Sequence, residues 1–161
     1  MNFFMKTKNK YNNLIITTTD TVLGMGGKVN DEVKNNIYEL KGRDKSKKLI
    51  ILVSSIKQAR EFKEWNQEAE KLANKYWPGA TTLIVNDQGF RMPNQKKLLE
   101  FLKENGPHYM TSCNLSNQPV CRTLEEAKIL FPEIKNIYNF GSPTQKPSQI
   151  IRVEDGKILR N

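Results

Sequence analysis

Short apolar runs alternate with amphipathic stretches along most of this 161-residue chain. Continuous apolar, β-branched runs are typical of buried strands, and apolar residues at helical spacing are typical of helices that pack against a core. These patterns predict strands at residues 14–17, 49–53, 82–85, 109–112 and 137–140, and helices at residues 30–40, 55–76, 94–105 and 123–130. The two kinds of element alternate without a strict βαβ rhythm, which favours a mixed sheet.

Local signals mark several of the predicted helix ends. Asn30 is a residue type preferred at helix N-caps. Thr123, followed three residues later by Glu126, forms a capping-box pattern. Pro78 cannot continue a helix, so we expect the helix before it to end there.

The two ends of the chain and one early segment complete the predicted organisation. Residues 18–27 are rich in Thr, Asp and Gly and predict a loop, whereas residues 149–160 predict a terminal hairpin. We expect residues 1–11 to form a loose start and residues 12–161 to form a single domain. The predicted fold class is α/β, a twisted mixed sheet with flanking helices.

The charge balance favours anionic partners. The chain carries 26 Lys and Arg against 17 Asp and Glu, for a formal charge of +9 and a pI near 9.5, with a mean hydropathy of −0.64. Such a balance is typical of proteins that bind nucleotides or RNA. Many of the lysines fall on predicted helix surfaces, so the charge also fits an ordinary solvated exterior.

The inventory of sulfur and imidazole groups excludes a structural zinc site. Cys113 and Cys121 are the two cysteines, and His108 is the one histidine. Residues 1–11 lack the long apolar stretch of a signal peptide or membrane span. We therefore expect a cytoplasmic protein with no membrane contact, two free thiols and no metal held by protein side chains.

Residues 41–48 concentrate cations between a predicted helix and a predicted strand. The loop is pinned at both ends, so Lys41, Arg43 and Lys47 could converge on a phosphate chain. Lysine supplies a point charge, and arginine can bind two phosphate oxygens with its planar fork. The alternative is a solvated charge run on a surface turn.

Residues 111–116 follow a predicted strand and carry several neutral hydrogen-bonding groups. In an extended segment, Ser112, Asn114 and Ser116 would share one face and could orient a nucleotide without adding charge. An ordinary turn with local side-chain hydrogen bonds fits the same residues. The glycines within residues 18–27 could similarly allow close backbone approach to a small ligand, or could serve a structural turn.

The sequence contains no recognisable catalytic nucleophile with a general base beside it. A lone histidine without an obvious orienting acid does not make a Ser/His/Asp or Cys/His unit. The sequence therefore favours chemistry in which the substrates supply nucleophile and leaving group, while the protein positions them and neutralises charge, as in nucleotidyl transfer.

Six segments in a fixed order carry a family resemblance. They are T-D-T-V-L-G at 19–24, I-Y-E-L-K-G-R at 37–43, Y-W-P-G at 76–79 with T-L at 82–83, R-M-P at 91–93, T-S-C-N-L-S at 111–116 and I-L-R at 158–160. In these segments the chain resembles the YrdC-like family of threonylcarbamoyl-adenylate synthases. The resemblance covers nearly the whole chain.

This resemblance implies an α/β twisted sheet around a large, positively charged concave cleft. It also implies ATP-dependent condensation of L-threonine with bicarbonate to threonylcarbamoyl-adenylate and pyrophosphate, usually with Mg²⁺. Partner proteins would then use the adenylate for tRNA threonylcarbamoyladenosine modification. By analogy the ATP-binding residues are Lys41, Arg43, Lys47, Ser112, Asn114 and Arg160, with Lys41 and Arg43 catalytic, and the threonine-binding residues are Thr19, Thr21, Arg91 and Ser148.

Several departures from the family pattern leave alternatives open. Leu23 stands where the family has a tyrosine, Asn117 replaces a glycine, and residues 85–91 are too few for the usual connection. With the charge of +9, these departures motivate a second hypothesis, a non-catalytic module of the same fold that binds double-stranded RNA or tRNA. A third hypothesis is a related adenylate-forming or carbamoyl-transferring enzyme that accepts another amino acid.

Overall fold

The structure, a computed structural model, describes residues 9–161. Nine strands lie in this range: β1 (Ile15–Thr17), β2 (Gly24–Lys28), β3 (Ile50–Leu52), β4 (Thr81–Val85), β5 (Gln88–Arg91), β6 (His108–Ser112), β7 (Asn136–Tyr138), β8 (Gln149–Arg152) and β9 (Ile158–Arg160). Five helices lie in the same range: α1 (Asp31–Lys41), α2 (Ile56–Ala59), α3 (Gln67–Tyr76), α4 (Lys96–Asn105) and α5 (Leu124–Leu130). All the predicted strands and the terminal hairpin are confirmed, and the sequence patterns missed β2 and β5.

The strands form one twisted sheet in the order β7-β1-β2-β6-β3-β5-β4-β8-β9. The neighbours β1 and β7, β3 and β5, and β4 and β8 run parallel, while the remaining neighbours run antiparallel. The predicted α/β class with a mixed sheet and flanking helices is confirmed. Of the predicted loose start, residues 1–8 lie outside the described residues, and the division at residue 12 stays a prediction.

Helix α1 begins and ends as its capping residues dictate. The Asn30 Oδ1 accepts a hydrogen bond from the Val33 backbone N–H at 2.8 Å, which satisfies one of the free N–H groups at the helix start. Gly42 ends the helix in the left-handed conformation, with φ of 64°, where glycine lacks the steric penalty of other residues. The C-terminus of α1 therefore delivers Lys41 and Arg43 to a defined place.

The single helix predicted over residues 55–76 is wrong, because two helices separated by a turn occupy this range. Asn66 caps α3 by accepting from the Ala69 N–H at 2.8 Å, which starts a new helix instead of continuing the first. In the intervening turn, Phe62 and Trp65 pack on the core, and the Trp65 ring stacks on Trp77 with centroids 5.3 Å apart. Aromatic packing and the cap together override the helical spacing.

The loop predicted at residues 18–27 is also wrong in its second half, where β2 lies between β1 and β6. Glycine has low strand propensity, which hid this strand from the sequence pattern. A Cβ on Gly26 would lie 1.9 Å from the Tyr109 carbonyl oxygen, and one on Gly27 would lie 2.6 Å from the Asn13 carbonyl oxygen. The close approach that these glycines permit is therefore to the protein's own backbone.

The departures at residues 23, 85–91 and 117 each have a local structural setting. Leu23 is 1% exposed and packs in the core. Residues 85–91 contain a tight hairpin between β4 and β5, and its turn residues Asn86 and Asp87 have φ of 49° and 66°. Asn117 has φ of 67°. Asn and Asp tolerate this left-handed region better than most residues with a side chain.

Alternation along the strands divides the core between two faces of the sheet. On one face, Ile16 packs with α1 and α5, and Ile51 packs with α3. On the other face, Ile15 and Leu52 pack with Leu98 of α4. Helix α4 covers part of that second face, and the remainder forms the floor of a cavity.

Candidate active site

A cavity of about 390 Å³ lies on the α4 face of the sheet, a size within the usual range of about 300–1,000 Å³ for ligand pockets. Its floor is built by strand residues that point to this face: Gly24, Ile50, Leu52, Thr82, Ile84, Gly89, Met110 and Ile150. Neighbouring strands contribute these residues in register, so the sheet itself fixes the floor.

Cations and hydroxyl groups surround this floor. The cationic lining residues are Arg43, Lys48, Arg91 and Arg160, and Asp87 is the acidic residue among them. Seven of the ten predicted site residues line the cavity: Thr19, Thr21, Arg43, Arg91, Ser112, Ser148 and Arg160. These residues come from segments far apart in the sequence, and the fold brings them to one cavity.

At one end of the cavity lies a group that we call the lysine cluster, formed by Lys41, Arg43, Thr111, Ser112 and Asn114. The Lys41 Nζ donates to the Thr111 hydroxyl at 3.2 Å, the Ser112 carbonyl at 2.5 Å and Asn114 Oδ1 at 2.9 Å. An ammonium has three N–H donors, so these contacts use all of them. The Ser112 hydroxyl also donates to Asn114 Oδ1 at 2.7 Å.

The lysine cluster holds a buried charge without an acidic partner. Lys41 is 2% exposed, and within residues 9–161 no carboxylate lies within salt-bridge distance of it. Burial and, to a smaller extent, the positive charge of Arg43 lower the pKa of Lys41 to about 8. The ammonium is thus held by neutral acceptors alone.

Arg43 closes the loop that follows α1. Its Nε and Nη2 donate to the carbonyl groups of Lys47 and Lys48 at 3.0 and 3.1 Å, and its Nη1 donates to the Thr111 hydroxyl at 3.3 Å. Burial lowers the pKa of the Arg43 guanidinium. The guanidinium therefore fixes the cationic loop and also faces the cavity.

At the other end lies the arginine cluster, formed by Asp20, Thr21, Arg91, Ser148 and Arg160. The Arg91 Nη1 donates to both carboxylate oxygens of Asp20, at 2.8 and 3.0 Å, and its Nη2 donates to the Thr21 hydroxyl at 3.1 Å. The Arg160 Nε and Nη2 donate to the Ser148 carbonyl and hydroxyl at 2.7 and 3.1 Å. The charge of Arg91 lowers the pKa of Arg160, after the larger effect of burial.

Three predicted site residues do not line the cavity. Lys41 and Asn114 lie behind its wall and contact Ser112, which does line it. Lys47 is exposed, and its neighbour Lys48 lines the cavity instead. Nothing in the sequence pattern distinguished the two lysines, because both belong to the same charge run.

The predicted common face of Ser112, Asn114 and Ser116 is not formed, because β6 ends at Ser112 and the chain turns there. Ser112 and Asn114 still meet, whereas the Ser116 backbone N–H donates to the Lys41 carbonyl at 3.0 Å. The extended conformation expected beyond Ser112 is therefore wrong, and the role of these residues toward a nucleotide stays a prediction. The turn itself brings the two predicted side chains together.

The cysteines and the histidine are structural. Cys113 and Cys121 are free and buried, as expected, and burial raises the pKa of both thiols. His108 is 3% exposed, its Nδ1 lies 2.9 Å from the Gly106 carbonyl oxygen, and burial lowers its pKa. Neither thiol nor the imidazole belongs to the cavity lining.

The described part of the chain contains neither a metal-ligand cluster nor a membrane-spanning helix. Across residues 9–161, no three or more His, Cys, Asp or Glu side chains are grouped to hold a metal ion. In the same range, no helix is long and apolar enough to cross a membrane. The donor set of the cavity, mainly cations and hydroxyls, does not fit a Mg²⁺ ion held by the protein itself.

Comparison with known proteins identifies the family. Residues 9–161 match the model of the Sua5/YciO/YrdC family, which carries the description "Telomere recombination". The chain therefore belongs to this family, and the family resemblance of the sequence is confirmed.

Several of the matched relatives are threonylcarbamoyl-AMP synthases by name. A Methanocaldococcus jannaschii protein, provisionally named threonylcarbamoyl-AMP synthase, is 26% identical over 97% of this chain and 82% of its own length. The Bacillus subtilis threonylcarbamoyl-AMP synthase is 30% identical over 67% of this chain. The crystal structure of Pyrococcus abyssi Sua5 complexed with L-threonine superposes with a TM-score of 0.79, at 27% identity over 90% of this chain.

The relatives differ from this chain in length. The alignment spans 36% of the Bacillus subtilis protein and 48% of the Pyrococcus abyssi chain. The names of these relatives support the synthase hypothesis over the non-catalytic RNA-binding alternative.

Proposed function

We propose that the chain condenses L-threonine, bicarbonate and ATP to threonylcarbamoyl-AMP and pyrophosphate, as an ATP-dependent nucleotidyltransferase. The observation that carries the proposal is the convergence of seven predicted site residues on one cavity. The names of the relatives and the L-threonine complex of the Pyrococcus abyssi protein support the same substrates. Partner proteins that use the adenylate for tRNA modification, and any contact with tRNA or double-stranded RNA, are further parts of the proposal.

In this proposal the lysine cluster receives the nucleotide. Arg43 and Lys48 line the cavity and would contact the triphosphate directly, with Lys47 adding charge from the exposed side of the loop. Ser112 would bind a nucleotide group. Lys41 and Asn114 would act through Ser112 and through the positive charge that Lys41 holds just behind the wall.

The arginine cluster receives the amino acid. Thr19 and Thr21 line the cavity, and their hydroxyl oxygens lie 3.2 Å apart. Together with Arg91 and the Ser148 hydroxyl, they offer the neutral and cationic hydrogen-bonding groups that a carboxylate and a small hydroxyl side chain need. Arg160 lies beside Ser148 and would contact the phosphates from this side.

The substrates supply the reacting groups. The amino group of threonine and bicarbonate give a carbamate with loss of water. A carbamate oxygen then attacks the α-phosphorus of ATP, the bond to the β-phosphate oxygen breaks, and pyrophosphate leaves toward Arg43 and Lys48. The lining contains neither His nor Cys, so the protein's share is positioning and charge neutralisation. Mg²⁺, where required, would enter with the triphosphate, which supplies its oxygen ligands.

Pyrophosphate release tests the proposal. Purified protein is incubated with ATP, Mg²⁺ and bicarbonate, with and without L-threonine, and pyrophosphate is measured. We expect release that depends on both threonine and bicarbonate, and release that threonine does not increase would refute the proposed reaction. Release that responds to a different amino acid would reassign the substrate to the third hypothesis.

A pair of arginine variants localises the activity. Arg43→Ala should lower the rate of pyrophosphate release by about 100-fold or more, because it removes a preorganised cation from the phosphate end. Arg60→Ala is the matched control, since Arg60 is exposed, pairs with Glu70 and does not line the cavity. We expect both variants to unfold at a temperature close to that of the wild type, and equal loss of activity in both would contradict the assignment.

A further inference from the structure

Asp20 belongs to the arginine cluster, but it is not one of the residues predicted from the sequence. Its side chain is 12% exposed and that of Arg91 is 6% exposed, so the ion pair between them is largely withdrawn from water. Asp20 does not line the cavity, whereas Arg91 and Thr21 do. The carboxylate thus stands behind two residues of the proposed amino-acid site.

The carboxylate of Asp20 is itself fixed from several directions. Its Oδ2 accepts from the Asn94 backbone N–H at 2.8 Å, next to the start of α4. The Asp20 backbone carbonyl accepts from the Thr144 N–H at 3.1 Å, and the Thr21 carbonyl accepts from the Gln145 N–H at 2.8 Å. A carboxylate held in this way can impose an orientation on the cation that it contacts.

The hydrogen bonds of Arg91 show which of its donors are occupied. Both oxygens of Asp20 and the carbonyl of Gly79 accept from the same nitrogen, Nη1, at 2.8 to 3.0 Å. Nη2 donates one hydrogen to Thr21. Of the five N–H donors of a guanidinium, the Nε–H and one on Nη2 therefore have no acceptor among residues 9–161. Nε and Nη2 are neighbouring nitrogens of the guanidinium, and N–H groups on two such nitrogens can bind a carboxylate in a bidentate manner.

We propose that Asp20 is a positioning residue for substrate recognition: it fixes Arg91 so that the two unoccupied N–H donors, next to the Thr21 hydroxyl, bind the α-carboxylate of the amino-acid substrate. This inference rests on the proposed function and adds to it a residue that does not touch the substrate. The Asp20 charge also offsets that of Arg91, so Arg91 recognises a ligand by hydrogen-bond geometry more than by net charge.

Separate binding measurements test the inference. Asp20→Asn keeps the size of the side chain and one acceptor oxygen, but it removes the charge and the double contact to Nη1. We expect the dissociation constant for L-threonine, measured by calorimetry, to rise about tenfold or more, the effect of misaligning a charge-assisted pair. The dissociation constant for ATP should stay within about twofold, and the KM for threonine should rise more than kcat falls.

Asp155→Asn is the matched control. Asp155 also uses both carboxylate oxygens on one arginine, accepting from the Nε and Nη2 of Arg152, but this pair is exposed and does not line the cavity. This variant should leave both dissociation constants unchanged.

Each other outcome decides against the inference. Unchanged threonine affinity in Asp20→Asn would overturn it, as would a parallel loss of threonine and ATP affinity with a lowered unfolding temperature, which would assign Asp20 to the fold. Wild-type protein that binds ATP but no threonine would overturn the proposed substrate, and the inference with it.

Discussion

The lysine cluster and the arginine cluster hold their cations in opposite ways. Lys41 is buried among neutral acceptors, with no carboxylate within salt-bridge distance in the described part of the chain. Arg91 is equally buried but contacts both oxygens of the Asp20 carboxylate. Among the described residues, the lysine cluster therefore has two cations, Lys41 and Arg43, without a carboxylate, whereas the arginine cluster pairs Arg91 and leaves Arg160 with neutral acceptors.

This difference indicates two kinds of recognition within one cavity. A buried charge without a partner lowers stability, and such groups concentrate at functional sites where an anion completes them. A polyphosphate would supply that compensation at the lysine cluster. At the arginine cluster the pairing leaves directed N–H donors on Arg91 and one unpaired cation, Arg160, a smaller excess of positive charge that suits one small carboxylate. The predictions below test this division.

The largest effect is expected for Lys41→Met. Methionine has a similar length but no charge, so ATP affinity should fall about 100-fold as the uncompensated charge is lost. The free energy of unfolding should change by less than about 2 kcal/mol, because the desolvation cost of the ammonium disappears together with its hydrogen bonds. Calorimetry and thermal unfolding measure the two quantities.

Lys71→Met is the control for this variant, since Lys71 is exposed and pairs with Glu68 on α3. It should change neither quantity. An ATP affinity that survives Lys41→Met would remove the proposed difference between the two ends of the cavity.

A rise in pH should have an effect of intermediate size, which lowers ATP affinity and raises stability. The pKa of Lys41 is about 8, below its ordinary value of 10.5, so the folded protein loses this proton first as the pH rises. ATP affinity should then fall by about tenfold between about pH 7 and pH 9.5.

Over the same interval the unfolded chain binds more protons at this position than the folded chain, so the contribution of Lys41 to stability should rise with pH. The comparison of wild type with Lys41→Met isolates both effects, because the variant lacks the titrating group. A difference in ATP affinity between the two proteins that stays constant with pH would contradict the expectation.

The smallest effect is expected for Ser148→Ala. The Ser148 hydroxyl bonds to the Thr82 hydroxyl at 2.8 Å and accepts from Arg160, so its loss removes one partner from each. We expect threonine affinity to fall about fivefold, close to the net value of about 1 kcal/mol for one hydrogen bond, with ATP affinity nearly unchanged. An effect mainly on ATP would assign Ser148, like Arg160, to the phosphates instead of to threonine.

The sequence predicted the fold well wherever an element depends on local properties of its own side chains. The apolar run at residues 49–53 and the cap at Asn30 predicted β3 and the start of α1, because burial and capping are local properties. Strand β2 was missed because it is rich in glycine. Its glycines allow close packing against Tyr109 and Asn13, which are near only in the folded chain.

The candidate site shows the same limit. Arg43 and Ser112 could be predicted from motif positions, and the cavity contains both. Asp20 lies inside the T-D-T-V-L-G segment at residues 19–24. Its ion pair with Arg91, however, joins residues 71 positions apart, and no local sequence pattern indicates such a contact. The choice of Lys48 over Lys47 depends on how Arg43 folds the loop back, which is likewise a tertiary effect.

Adjacent positions in β5 serve the hydrophobic core and the chemistry in turn. Phe90 is 0% exposed within the core of one sheet face, and Arg91, one position later, reaches the cavity on the other. β5 pairs with β3 so that Phe90 stands opposite Ile51 and Arg91 opposite Leu52. A register shift of one residue would place the Arg91 guanidinium in the hydrophobic core and the Phe90 ring in the cavity. The burial of Phe90 therefore disfavours any other register of β5 and so fixes Arg91 at the cavity.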